Sequence, residues 1–471
     1  MDFDAIIVGG GAAGLFCART AGLRGRKVVV LEHNPRLGNK ILISGGGRCN
    51  FTNIGATAVN YVTSGSPNFV KSALARYTPA EFLALVERHG IQWHEKKLGQ
   101  LFCDQSSKQI LQLLEDECAE AEVQIRLNCR IHSVQRREAP DVTLEAPTWT
   151  LQTSLGEFRS SSLVIASGGL SFPKLGTTPF GYEVARQFGL RVVEPRPGLV
   201  PLTWTSADLE LFGALSGLAV DSTVTLPGDA PRFRENVLFT HRGLSGPAIL
   251  QISSHRRPDE SIRINLIPDS PALPLLESER RSGRDLKAIL RGRLPERLAT
   301  AWIQRHGTSR PLAQVAQRDL EAMARALDSW EVQPAGDEGY AKAEVTLGGV
   351  DTAELSSKTL ESRKVPRLHF IGEVVDVTGW LGAIISSGHG RAAMRQEAPS
   401  EAFPDSGLRD YPIEPDLGVD GPERHHGPGD GGSDVALRPP DAEVRGGLDL
   451  ERAGAGPRNH QFHDTRRTDP H

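Results

Sequence analysis

The sequence predicts an α/β protein: a parallel-sheet domain split by an inserted β-rich domain with a helical part, followed by a disordered carboxy-terminal tail. Three observations carry that prediction. A strand, a glycine turn, a helix and a second strand follow one another between Asp4 and Glu32. From about Arg191, short β-like runs separated by Pro and Gly replace that style, until an apolar strand running into Gly372-Glu373 brings it back. Beyond Gln396 the chain is rich in Pro, Gly, Asp, Arg and His, and stretches such as Gly427 to Gly432 cannot bury enough surface to offset chain ordering.

The opening unit is the most specific. Ala5-Ile6-Ile7-Val8 is a short buried strand, and Gly9-Gly10-Gly11-Ala12-Ala13-Gly14 follows it. Gly9 permits a tight turn, Gly11 lets backbone approach a pyrophosphate, and Gly14 allows close helix–strand packing. Ala12 and Ala13 open the helix, whose free N–H groups and positive dipole end suit phosphate. Lys27 to Leu31 is the second strand, and Glu32 at its end is placed to accept hydrogen bonds from a ribose. A glycine turn alone is common in plain loops. Its place between strand and helix, with an acid at this distance, makes the unit Rossmann-like. An acid at Glu32 with no Arg just after it disfavours a ribose 2′-phosphate.

With 471 residues the chain has room for two or three domains. A net charge of −4 and no long basic run argue against nucleic acid or an anionic membrane as partner, leaving a small-molecule substrate. The start Met1-Asp2-Phe3-Asp4 lacks a signal peptide's basic and apolar regions, and no run of roughly 18 apolar residues follows. Cytoplasm is the default. Five cysteines without a CxxC pair fit neither a disulfide framework, a zinc site nor a redox dithiol, and no metal is expected.

Residues 1–191 form the first part of the dinucleotide domain, 192–344 the insertion, 345–390 the second part and 391–471 the tail. Apolar spacing predicts helices over Pro79–His89 and Ser107–Ala121, with strands at Gln124–Leu127, Ile131–Val134 and Leu163–Ala166. In the insertion, Val192-Val193, Thr223–Leu226, Val237–Thr240 and Ile262–Ile267 read as strands, and Leu286–His306 and Leu312–Trp330 as helical stretches.

Four further motifs coincide: Lys40 to Asn53 around Ser44-Gly45-Gly46-Gly47-Arg48-Cys49-Asn50, Ala166-Ser167-Gly168-Gly169, Phe239 to Pro247, and Gly372 to Trp380. Together they resemble the aminoacetone-oxidase-like, FAD-dependent oxidoreductases, whose FAD domain is of the glutathione-reductase type and which are related to bile-acid-modifying flavin reductases. The resemblance covers Met1 to about Gly382. It implies FAD, a β-rich insertion and, in some members, NADH-dependent reduction of steroid-like enones. It places Ser44, Gly45, Gly46, Arg48, Cys49 and Asn50 along the flavin, and adds Lys40, Val134, Ser167, Gly168 and Gly169 to the cofactor set. Gly372 and Glu373 would close the flavin site, with Asp376 near the ribityl chain.

No catalytic side chain is certain. Arg48 could place positive charge near a reduced flavin or form a rim ion pair. Cys49 could sit beside the ring or simply pack. His241 could donate a proton or be a hydrogen-bonded turn residue. His89 and His94 read as surface residues. With one dinucleotide fingerprint, NAD(P)H would have to visit the flavin as a transient donor. Three functions stay open: a reductase passing hydride through flavin N5, an amine oxidase using oxygen, and a flavin-binding protein without turnover. A nucleic-acid-modifying flavoprotein ranks lower for want of a basic surface.

The resemblance breaks after Gly382. Following Trp-Leu-Gly the family continues Gly-Tyr-Asn-Phe-Gln-Trp-Ala-Trp or a close variant and then a small-residue helix whose N-terminus faces the flavin, where this chain has Ala383-Ile384-Ile385-Ser386-Ser387-Gly388-His389-Gly390. Codons GGC GGC TAT AAT TTC CAG TGG GCA TGG encode the family version. Removing one G gives GGC GCT ATA ATT TCC AGT GGG CAT GG, which encodes Gly382 to Gly390. Everything after about Gly382 is therefore read as shifted frame. An intact reading frame on resequencing, with no homologous frame beside it, would refute this.

Overall fold

The computed structural model describes residues 2–137, 148–228 and 231–381; the predicted tail and the shifted-frame segment lie outside the described residues. The first strand, Asp2–Val8, pairs in parallel with Val28–Leu31 on one side and Gly156–Ile165 on the other. Val28-Val29-Val30-Leu31 is almost fully buried, as a β-branched run covered on both sheet faces should be. Gln124–Arg126 extends the sheet beyond Val28–Leu31, and Leu368–Phe370 pairs in parallel with Leu163–Ile165. The strands end level: Val8 stands opposite both Leu31 and Ile165. Gly9, Glu32 and Ala166 therefore emerge along one edge. The other half of Gly156–Ile165 turns antiparallel, pairing with Thr148–Thr153, which pairs with Ile131–Arg137.

The predicted helices are present as Pro79–Arg88 and Lys108–Glu120. Thr78 and Glu81 form a reciprocal capping box at the start of the former. Glu117, on the latter, is buried among two arginines and a histidine. Its Oε2 lies 2.5 Å from Arg19 Nε of helix Ala12–Gly22, and its Oε1 lies 2.7 Å from Arg88 Nη2 and 2.8 Å from His89 Nε2. One carboxylate thus ties three helices. His89 is part of this network; His94 is half-buried and pairs with Asp104.

The insertion folds around its own core. Seven strands run in the order Trp330–Val332, Ile262–Asn265, Ala219–Thr225, Phe233–Phe239, Gly243–Ser245, Leu202–Thr203 and Gly336–Asp337, each neighbour antiparallel. Trp204, Phe212, Phe239 and Trp330 pack at its centre. The two passages between the domains run side by side, Val192–Gly198 pairing antiparallel with Val345–Val350.

Some elements differ from the sequence reading for local reasons. The stretch Leu286–His306 is two helices, Leu286–Leu290 and Glu296–His306, because left-handed Gly292 and then Pro295 interrupt it. The strand expected from Leu163 begins at Gly156, where alternating polar residues cover a half-exposed face. A small sheet of Asn50–Asn53, Gln100–Cys103 and Trp93–Glu95 was not foreseen, since strands this short carry no clear period.

Candidate dinucleotide cleft and adjoining cavity

The cleft lies at the carboxyl ends of the parallel strands. Gly9 has φ of +112°, and a Cβ there would stand 2.4 Å from the Ala166 carbonyl oxygen. A Cβ on Gly14 would stand 1.9 Å from the Gly9 carbonyl oxygen, so the helix rests directly on the turn. At Gly11, by contrast, a Cβ would meet nothing within 4 Å. Gly11 is the N-cap of helix Ala12–Gly22, and no side chain caps that end. Backbone amides with open space in front of them are what a pyrophosphate requires. The cleft they face has a volume of about 160 Å³.

Glu32 forms part of its wall. The carboxylate is buried; Oε2 accepts the Gly10 amide at 2.7 Å and Oε1 the Asn34 amide at 2.8 Å. It therefore holds the glycine turn from within as well as facing the cleft. Across from it, Lys40 Nζ donates to Glu373 Oε2 at 2.6 Å and to Ser171 Oγ at 2.7 Å. Glu373 Oε1 accepts the Thr346 amide at 2.8 Å, and Thr346 Oγ1 accepts the Leu170 amide at 2.8 Å. Four segments distant in sequence are joined there.

Lys40 also lines a second cavity, of about 380 Å³, with Ser44, Gly45, Gly46 and Asn50 on one side. Lys96, Lys97, Gln100, Glu235 and Glu344 line its other parts. Burial pushes the Glu344 carboxyl up against the opposing pull of the Lys40 charge, so it is suited to hold a proton.

Of the residues singled out from sequence, Gly9, Gly11, Ala12, Ala13, Glu32, Lys40, Ser167, Gly168, Gly169, Gly372 and Glu373 line the first cleft. Ser44, Gly45, Gly46 and Asn50 line the second. Gly14 lies beneath the turn. Five are placed elsewhere. The Arg48 side chain is exposed and lines neither cavity. Cys49 is in the hydrophobic core, and burial pushes its thiol up to about 11 despite a hydrogen bond with Ser44. Val134 is also core, on a strand three places from the first in the sheet order, at its far edge. Asp376 is buried and its Oδ2 accepts the Ser64 amide at 3.0 Å and the Ser64 hydroxyl. His241 is exposed at the apex of the hairpin between Phe233–Phe239 and Gly243–Ser245, where Thr240 Oγ1 accepts the Arg242 and Gly243 amides.

All five cysteines are buried. A maleimide at pH 8 should therefore leave the native protein unlabelled and react only after unfolding. Prompt native labelling at Cys49 would contradict its burial.

Sequence reasoning missed Glu344, Thr346, Glu235 and Gln251. Only Glu235 had a usable signal, an acid in a strand whose other inward positions are apolar. The others lie in no motif or period.

The sheet order, the open glycine cradle and the acid at the end of the second strand define a Rossmann-type dinucleotide-binding protein. The chain belongs to the family described as HI0933-like protein Rossmann domain, which matches residues 3–385. The resemblance drawn from the motifs thus rests on this family and not on the aminoacetone-oxidase-like name. The ribosomal RNA dihydrouridine synthase of Escherichia coli strain K12 is 50% identical over 384 residues, covering 81% of this chain and 93% of that protein. The protein of the same name from Haemophilus influenzae is 45% identical over 381 residues, covering 80% and 93%. The 3-dehydro-bile acid delta(4,6)-reductase of Clostridium scindens is 26% identical over 396 residues, covering 80% and 93%. Among the described residues, no helix is long and apolar enough to cross a membrane.

Proposed function

We propose that this chain is an FAD-dependent reductase that saturates the C5–C6 double bond of a uracil in ribosomal RNA. The observation that carries the reading is the cleft whose open backbone amides at Gly11 to Ala13 continue, past Lys40, into a second cavity. The names of two relatives at 50% and 45% identity supply the substrate. FAD fits the first cleft: its pyrophosphate over Gly11, Ala12 and Ala13, its ribose toward Glu32, and its ring toward Ser44, Gly45 and Gly46. Bound there, FAD would supply a two-electron carrier, with NAD(P)H as the transient donor. Lys40 and Glu373 would fix the wall nearest the ring, and Glu344 is placed to hold a proton in the same cavity.

An RNA substrate replaces the small molecule expected from net charge. The last 90 residues contain 16 Asp and Glu against 10 Lys and Arg, so residues 1–381 carry +2 while the whole chain carries −4. Exposed Lys96, Lys97 and Arg232 stand around the cavity mouths, where phosphates would pass. Action on ribosomal RNA also fits a cytoplasmic protein.

The test uses FAD-loaded protein, NADH without oxygen, and ribosomal RNA from cells lacking the modification. Flavin bleaching should follow NADH, and nucleoside mass spectrometry should then find dihydrouridine. Bleached flavin that persists in the presence of RNA, with no dihydrouridine formed, would overturn the reading. The 26% relative favours a second reading, reduction of a steroid-like enone. Reoxidation of the bleached flavin by such an enone, and not by RNA, would select it.

A further inference from the structure

Glu235 stands where its strand asks for an apolar side chain. The inward residues of Phe233–Phe239 are Phe233, Glu235, Val237 and Phe239, and Glu235 is only 6% exposed. A carboxylate so buried is kept against its desolvation cost. Its Oε1 accepts the amide of Gln251 at 3.0 Å, and Gln251, on helix Pro247–His255, is itself 7% exposed. Its Oε2 faces the ammonium of Lys97 without a well-aligned hydrogen bond. Lys97 comes from the other domain, in the loop between Trp93–Glu95 and Gln100–Cys103.

The cluster is also placed at the site. Glu235 and Gln100 line both the cavity containing Ser44 and Gly45 and a neighbouring one of about 260 Å³, which Gln251 also lines. A plain ion pair between domains would need neither a buried amide beside it nor a cavity on each side. Toward the cavity of Ser44 and Gly45 the cluster offers a donor beside an acceptor, the Lys97 ammonium and the Glu235 carboxylate, while the Gln251 amide holds that carboxylate from the other cavity.

We propose that Lys97 and Glu235, with Gln251 holding the carboxylate from the neighbouring cavity, recognise the Watson–Crick edge of a uracil that enters the cavity of Ser44 and Gly45. That edge presents an acceptor beside a donor: O4 and N3–H. Glu235 accepts a hydrogen bond from N3–H, while Lys97 donates to the adjacent carbonyl oxygen. Cytosine is rejected because its unprotonated N3 faces the carboxylate and its amino group faces a donor. Sites built to bond a polar edge discriminate strongly against analogues that lack it. This inference rests on the uracil-reductase reading and names the residues that would select its substrate.

The experiment reads binding and needs no turnover. FAD-loaded full-length protein is titrated into two labelled RNAs of about ten nucleotides, oligouridylate and its N3-methyluridine counterpart, with anisotropy as the signal. The wild type should bind the uridine strand about 10-fold more tightly, the order of one hydrogen bond to a charged group. Glu235→Leu, suited to an inward strand position, should bring the two affinities within about twofold while leaving the methylated strand unaffected. Should that variant lose its flavin or its fold, Glu235→Gln keeps the side chain's shape and should lower discrimination about threefold, while Lys97→Met, which removes a donor to a carbonyl both strands share, should weaken both alike and leave their ratio unchanged. Equal wild-type affinity for the two strands, or undiminished discrimination in the Glu235 variants, overturns the assignment. Dihydrouridine formation by the wild type decides the parent reading separately: discrimination without product leaves uracil recognition standing and removes the reductase.

Discussion

Replacing Gly11 by valine is expected to strip the protein of FAD while leaving it folded. A Cβ at this position meets no atom within 4 Å, and φ of −86° with ψ of −175° suits a β-branched residue. The added methyls would instead stand over the amides of Ala12 and Ala13. A pyrophosphate could not then reach them. Affinity for FAD should fall at least about 100-fold, or about 2.7 kcal/mol. Flavin absorbance per protein measures this, and apo-protein melting temperatures should agree within about 2 °C. A variant that keeps its full flavin would remove the pyrophosphate from this loop.

Glu117→Gln should destabilise the fold by about 1–3 kcal/mol at neutral pH, because it leaves the mostly buried Arg19, with His89 and the exposed Arg88, facing a neutral amide. Burial alone would raise this carboxyl. Hydrogen bonds from His89 and Arg88, with the charge and hydrogen bond of Arg19, outweigh burial and hold it near about 2. A depressed carboxylate contributes fully above the ordinary range, and its contribution is lost as pH falls through the folded value. The gap between wild type and variant should therefore narrow from about pH 4.5 down to about pH 2 in denaturant titrations. A gap constant across that window would mean that the carboxylate is not the source of the stability.

The parts of the site legible in sequence were those where backbone does the work. Gly9 and Gly14 each answer a steric demand that shows as a missing side chain, Gly11 leaves the space before the amides open, and Glu32 sits at a distance set by one strand–helix–strand unit. Residues tied to a motif but dependent on side-chain direction were less readable. Arg48 and Cys49 are neighbours in the glycine-rich loop, yet one faces solvent and the other the core, and neither lines the cleft or the second cavity. Asp376 lies two residues from Thr378, which lines the cleft, but its carboxylate serves Ser64. His241 is in a well-marked motif whose purpose is the hairpin turn. Thr346 meets Leu170 across the split dinucleotide domain and Gln251 meets Glu235 from helix to sheet within the insertion, and no local pattern announces contacts between segments so distant in sequence.

The pairing of Leu163–Ile165 with Leu368–Phe370 has a bearing on biosynthesis. A ribosome must add some 200 further residues before the strand at 156–165 meets that partner, a wait of about 10–40 s at ordinary elongation rates. The insertion, with its separate core, can fold meanwhile. Lys40 cannot meet Glu373 until nearly the whole nascent domain has emerged. On the proposed function, capture of the flavin is thus one of the last events in making this protein.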